Sequence, residues 1–143
     1  MNIKNALFFF AFIIILGCKK DDVNTAPYIE FLSITPDSVT QFTYQVSIIL
    51  RFEDAQGNMG HTNPDSLTMY VKDSRLSQAD YFHLPPFTPD TSLNINGQLK
   101  INVGSPYLFG NGGVEYVKYN IKVRDYSGLW SNEVVTKEIS IHP

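Results

Sequence analysis

The stretch Phe42-Thr43-Tyr44-Gln45-Val46-Ser47-Ile48-Ile49-Leu50-Arg51-Phe52-Glu53 decides the fold class. Apolar side chains occupy every second position from Phe42 to Phe52, and all the residues between them except Ile49 are polar. Neighbouring side chains of an extended strand point to opposite faces, so a period of two puts one face in a core and the other in water. The alternation recurs in Val117, Tyr119, Ile121 and Val123 against Lys118, Asn120, Lys122 and Arg124. Leu67, Met69 and Val71 against Thr68, Tyr70 and Lys72 repeat it more briefly. Asn96-Gly97 lies between Leu93/Ile95 and Leu99/Ile101/Val103, and an Asn-Gly pair accepts the positive φ of a type I′ hairpin turn, which predicts two more strands. Tyr28 to Ile34, closed by Pro36-Asp37, predicts a first strand, and Asn132 to Ile141 a last one. After the N-terminal segment no window long enough for a helix carries a helical stripe. About seven strands spaced by turn residues predict an all-β fold, an antiparallel two-sheet sandwich with one face of each sheet buried.

Size and charge bound the function. A chain of 143 residues carrying 11 Lys+Arg and 14 Asp+Glu, net −3, makes a single domain with a core that needs no disulfide or metal. Its mild acidity excludes a protein that tracks a nucleic-acid backbone, which would show a basic face.

The first residues predict export. Lys4 is followed by eleven apolar residues from Ala6 to Leu16, then Gly17 and Cys18. That run is too short to cross a hydrocarbon core as a helix, which takes about 20 residues, but it suits the helical h-region of a signal peptide. Ile15-Leu16-Gly17-Cys18 resembles the bacterial lipobox, in which the Cys becomes the first mature residue and is lipid-modified on its sulfur and amino group. Cys18 is the only cysteine, so it has no disulfide partner within the chain. The expected organisation is a lipoprotein signal peptide over residues 1–17, a lipidated tether over 18–26 and a β-sandwich domain over 27–143. Several acyl chains on one residue hold a protein stably on a bilayer. Lys19-Lys20-Asp21-Asp22 resembles the export signal of Bacteroidota lipoproteins, in which Lys20, Asp21 and Asp22 would direct the protein to the outer face of the outer membrane. The alternative is a solvated tether on the periplasmic face.

Tyr119 stands two residues before Ile121 in the next-to-last predicted strand. Immunoglobulin-like domains carry a Tyr there, two positions before the antibody Cys, with its ring buried and its hydroxyl returned to the backbone. Ile121 in the Cys position gives an apolar core, as in fibronectin type III domains. Pro27-Tyr28-Ile29-Glu30-Phe31, Ser33-Ile34-Thr35-Pro36 and the loop Gln56-Gly57-Asn58-Met59-Gly60 resemble small single-domain Bacteroidota lipoproteins of unassigned function with an immunoglobulin-like, fibronectin type III or cadherin-like sandwich. Asp125-Tyr126-Ser127-Gly128 with Ser131-Asn132 resembles the Asp-x-x-Gly-x-x-Ser-Asn close of bacterial immunoglobulin-like modules.

On that layout Asp54 and Asp125 end strands at one pole of the sandwich. With Glu53, Asn58 and backbone carbonyls they offer oxygens of the kind calcium takes. Ala55, Gln56 and Asn58 stand where relatives often carry carboxylates, so any calcium site is expected to be weak. The favoured reading has each Asp accepting hydrogen bonds from its own loop. Aromatic residues gather in three loops, and Tyr81, Phe87, Tyr126 and Trp130 are the candidates for a contact surface. The competing reading has them capping the ends of the core, and it is the preferred one for Trp130.

Nothing in the chain spells catalysis. His61, His83 and His142 are far apart in sequence, no Gly-x-Ser-x-Gly is present, and the mature chain has no free thiol. The expectation is a non-catalytic binding or accessory module on the outer membrane, held by its lipid and contacting a protein or glycan, with no nucleic acid and no cofactor beyond weak calcium. The alternatives are a structural subunit of a larger membrane complex and, behind it, a small hydrolase.

Overall fold

The alternation centred on Ile48 produces the middle strand of a sheet. In the computed structural model, which describes residues 25–87 and 94–143, Val46, Ile48, Leu50 and Phe52 are all buried, while Arg51 and Glu53 face water. Strand β3 (Ser47–Asp54) pairs antiparallel with β1 (Tyr28–Thr35) on one side and β6 (Ile95–Asn102) on the other. A second sheet has the order β5 (Asp80–Phe82), β4 (Met69–Asp73), β8 (Tyr119–Val123), β9 (Val134–Val135). A third has the order β2 (Ser38–Thr40), β10 (Ile139–His142), β7 (Glu115–Val117). The fold is all-β, and the described residues include no helix, hence none long and apolar enough to cross a membrane. Ile29, Ile48 and Leu50 from the first sheet, Ile121 and Val123 from the second, and Val39, Val117, Ile139 and Ile141 from the third meet in one core. The expected signal-peptide helix, Cys18, the start of the tether and the Lys20, Asp21 and Asp22 export signal lie outside the described residues.

The second and third sheets follow the same two stretches of chain. Strands β7 and β8 are separated only by Lys118, and β9 and β10 only by residues 136–138. At this break the buried Thr136 replaces part of the ladder, its Oγ1 accepting the Tyr119 N–H at 3.0 Å while its own N–H donates to the Tyr119 carbonyl. The last expected strand is therefore two, which is one reason the described residues hold ten strands rather than about seven.

Three other expectations are corrected. Phe42 and Tyr44 are not part of the long strand: residues 41–43 form a turn, Phe42 has φ 60°, and the two rings are 69 % and 62 % exposed. Here the chain leaves β2, which pairs with β10, for β3 in another sheet, and the Phe42 and Val46 N–H groups bond to the Pro106 and Gly104 carbonyls on the way. The β2–β10 pair is parallel, so the sheets are not wholly antiparallel. Asn96-Gly97 is not a hairpin turn: β6 runs straight through it, neither residue has positive φ, and Gly97 sits opposite Phe52. A Cβ on Gly97 would come within 3.3 Å of the Phe52 ring, so this glycine gives room to a core aromatic.

Candidate functional site

Two turns meet at one pole. Asp54 ends β3, and its Oδ1 accepts the Gln56 N–H at 3.0 Å while the Gly57 N–H donates to its carbonyl. Asp125 follows β8, and its Oδ1 accepts the Leu129 N–H at 2.7 Å, closing a turn in which Gly128 has φ 91°. The turns are joined by a bridge between Met59 and Asp125, by the Tyr126 N–H donating to the Asn58 carbonyl, and by Asn58 Nδ2 donating to Ser127 Oγ at 3.0 Å. The expectation that each Asp serves its own loop is met by one oxygen of each carboxylate.

The other oxygen is not spoken for. Asp54 and Asp125 are each 1 % exposed, and Oδ2 of both, with Oδ1 of Asn58, is buried without a hydrogen-bond partner among the described residues. Burial raises the Asp125 carboxyl above its ordinary value; the Leu129 N–H pulls it back and the charge of Asp54 adds to the rise. Neither carboxylate is ion-paired among the described residues. Glu53 is not part of this group: it lies on the opposite face of β3, half exposed and paired with Arg51 at 3.0 Å. No group of three or more His, Cys, Asp and Glu suited to a metal occurs among the described residues, so the donors here are two carboxylates and an amide.

The Ser131-Asn132 close of this turn ties the sheets together. Ser131 Oγ accepts the Val123 N–H at 3.0 Å, and the Asn132 side chain takes both backbone groups of Ile29, accepting its N–H at 2.9 Å and donating to its carbonyl at 2.8 Å. The expected tyrosine corner is met only in the ring. Tyr119 is buried and its phenol is pushed up to about 12 by desolvation, but among the described residues its hydroxyl makes no hydrogen bond to the backbone.

The four expected aromatic contacts do not form one surface. Tyr81 and Trp130 come together on the outer face of the second sheet, ring centroids 6.4 Å apart. Tyr70 joins them at 5.6 Å from Tyr81. Lys122 Nζ lies 4.6 Å from the centre of the Tyr70 ring and 5.6 Å from that of Trp130, and the Arg124 guanidinium lies 5.3 Å from the Trp130 ring. Trp130 thus covers the outside of the sheet instead of capping the core. Partial burial, with Glu133 and Tyr81 nearby, holds the Tyr70 phenol above its ordinary value. Tyr126 stacks on His61 at 4.5 Å, beside the carboxylate pole. Phe87 packs on Phe52 at 4.6 Å, lining a cavity of ≈ 390 Å³ together with Phe82, Leu84, Leu99 and Ile101.

Tyr70, Lys122 and Arg124 were missed as site residues, although the alternation carried the signal. Tyr70 and Lys122 are register partners on β4 and β8, and both are out-facing positions of strands whose in-facing residues were read. A second exposed group joins Tyr107 and Phe109, which belong to one of the three aromatic loops, to Phe42, which was expected in the core, and to Arg75: Phe42 stacks on Tyr107 at 5.6 Å, Phe109 lies 5.1 Å from Tyr107, and Arg75 lies over the Phe109 ring. Arg75 is held there by Asp73 and by Glu115, whose carboxyl is kept below its ordinary value first by the Gly110 N–H and further by the Phe109 N–H and Arg75 itself. Comparison with family models, with curated proteins and with solved structures finds no match to the chain.

Proposed function

We propose that this chain is a lipid-anchored, non-catalytic binding module that meets a protein or glycan at the surface of the outer membrane. The observation that carries the binding role is the Tyr70–Tyr81–Trp130 group flanked by Lys122 and Arg124. Aromatic rings give large contact area at low entropic cost, and neighbouring cations add hydrogen-bond donors to it. Tyr81 is 49 % exposed on β5, a strand whose three residues all face solvent. The anchor rests on the residues: Lys4, the apolar run to Leu16, and Gly17-Cys18 fit a lipoprotein signal, and Lys20, Asp21 and Asp22 fit export to the outer face of a Bacteroidota outer membrane, with the periplasmic face as the alternative. Support for an immunoglobulin-like sandwich comes from topology. The order β1-β3-β6, set against β5-β4-β8-β9 and its continuation through β10, corresponds to strands A-B-E facing C′-C-F-G. A structural subunit is the second reading, favoured by the exposed Phe42, Tyr107 and Phe109 group.

Three measurements test this reading, one for the anchor and two for the contact face. Labelled palmitate should enter the wild-type protein and not Cys18→Ser, and a wild type that takes up no label would remove the anchor. In affinity electrophoresis through gels holding soluble polysaccharides, and in photocrosslinking on intact cells from a probe at position 81, the wild type should be retained or crosslinked. Trp130→Ala should lose whichever signal appears. Silence in both assays, or signals untouched by Trp130→Ala, would reject the aromatic face as the contact.

A further inference from the structure

We propose that Asp54, Asp125 and Asn58 hold a divalent cation of the calcium class. Asp54 and Asp125 are each 1 % exposed, stand on two turns joined by the Met59–Asp125 bridge, and have no ion-pair partner among the described residues, and a buried charge without a partner is costly. Each spends one oxygen on its own turn, which leaves Asp54 Oδ2 and Asp125 Oδ2 buried and without a partner among the described residues. Asn58 supplies the independent sign. Its Nδ2 is committed to Ser127 Oγ, so its amide oxygen is the atom left over, and that oxygen too is buried and unpartnered. Three oxygens of this kind from two joined turns match a cation and not an anion.

The donor set selects the ion. Calcium takes six to eight oxygens from carboxylates, amides, backbone carbonyls and water in irregular geometry. Zinc sites are built on His and Cys, and this group holds neither. Magnesium prefers a regular octahedron and gives up its water reluctantly. With three protein side chains as donors, affinity falls in the range of extracellular modules, a Kd of about 0.1 to 1 mM. The cation replaces the missing positive partner of the two carboxylates and fixes the 54–60 loop against the 125–130 turn.

The test uses the full-length chain in detergent micelles. Its unfolding temperature is compared in chelator and in roughly 10 mM calcium, and binding is read directly from terbium emission sensitised by Tyr126 and Trp130. Calcium should raise the unfolding temperature of the wild type by about 4 to 16 °C. Asp125→Asn keeps the acceptor for the Leu129 N–H and removes one charge. It should abolish the calcium response while melting no lower than wild type in chelator. If that variant does not fold, Asn58→Ala decides, with an expected loss of roughly tenfold in terbium affinity. A wild type indifferent to calcium and terbium would overturn the site, as would an Asp125→Asn variant that responds like wild type or an Asn58→Ala variant of unchanged affinity.

Discussion

Replacing Asn132 by Ala should loosen the attachment of the first strand to the second sheet. The Asn132 amide takes both backbone groups of Ile29, a residue of β1 with no exposed surface. Truncation removes two hydrogen bonds, each with a net worth of about 0.5 to 1.5 kcal/mol, and adds a desolvation penalty wherever water fails to reach the freed N–H and carbonyl. Because Asn132 itself is exposed, water replaces part of the loss, and the expected cost is about 2 kcal/mol. For a domain of this size that corresponds to a fall of roughly 6 to 12 °C in Tm. Urea unfolding followed by the fluorescence of Trp130, the only tryptophan, measures it. Asn132→Asp gives the control. Its carboxylate accepts the Ile29 N–H but cannot donate to the carbonyl, whereas the protonated form can. The introduced carboxyl therefore has a raised pKa in the folded state, and its deficit relative to wild type should shrink as pH falls from about 7 towards 4. An Asn132→Ala variant within about 0.5 kcal/mol of wild type, or an Asp variant whose deficit ignores pH, would refute the clamp.

Gly60 and Tyr119 give sharper local tests. A Cβ on Gly60, at φ 89°, would stand 2.5 Å from the Pro85 carbonyl oxygen and 2.8 Å from that of Leu84. Gly60→Ala should cost about 3 kcal/mol or more by chemical denaturation, against about 1 kcal/mol for Gly104→Ala, where φ is 78° and nothing lies within 4 Å. Burial lifts the Tyr119 phenol from the usual 10 to about 12, so the folded state keeps a proton that the unfolded chain gives up. The stability this contributes is complete below pH 10 and drains away as pH climbs towards about 12. Across that window wild type should lose up to about 2 to 3 kcal/mol more than Tyr119→Phe.

The period of two in the sequence led correctly to the all-β class and to most of the core. From Val46 to Phe52 and from Tyr119 to Val123 each in-facing residue was identified, because burial of one strand face leaves a mark on composition. Alternation could not mark where a strand changes sheet. Phe42 and Tyr44 continue the pattern in sequence but stand on a turn and in the loop that follows it, since two apolar residues on an exposed loop look identical to two more in a core. Asn96-Gly97 misled for a related reason: the pair permits a hairpin turn, but the need of the Phe52 ring for space across the sheet decides its use. Thr68 makes the same point. Read as a polar, out-facing position, it is fully buried, with Oγ1 accepting the Leu84 N–H and donating to the Leu84 carbonyl, a pairing that only the folded chain brings about. The convergence of Asp54 and Asp125 was legible as strand ends at one pole. That each keeps an oxygen unpaired was not, because it depends on which atom each turn consumes.

The two candidate sites are joined by the six residues from Asp125 to Trp130. Asp125 Oδ1 accepts the Leu129 N–H, and the next residue, Trp130, bridges back to Arg124, the residue before Asp125. The Trp130 ring on the outer face of the second sheet is therefore positioned by the same loop that carries Asp125. A cation bound through Oδ2 leaves the Oδ1 bond intact and adds a second restraint to the same carboxylate, so it stiffens the turn without redirecting Trp130. If the cation binds as proposed, calcium should tighten whatever ligand the aromatic face takes, and a ligand affinity equal in chelator and in calcium would refute that coupling. The turn already has its native hydrogen bonds without the cation, so the expected effect is on affinity and not on the fold.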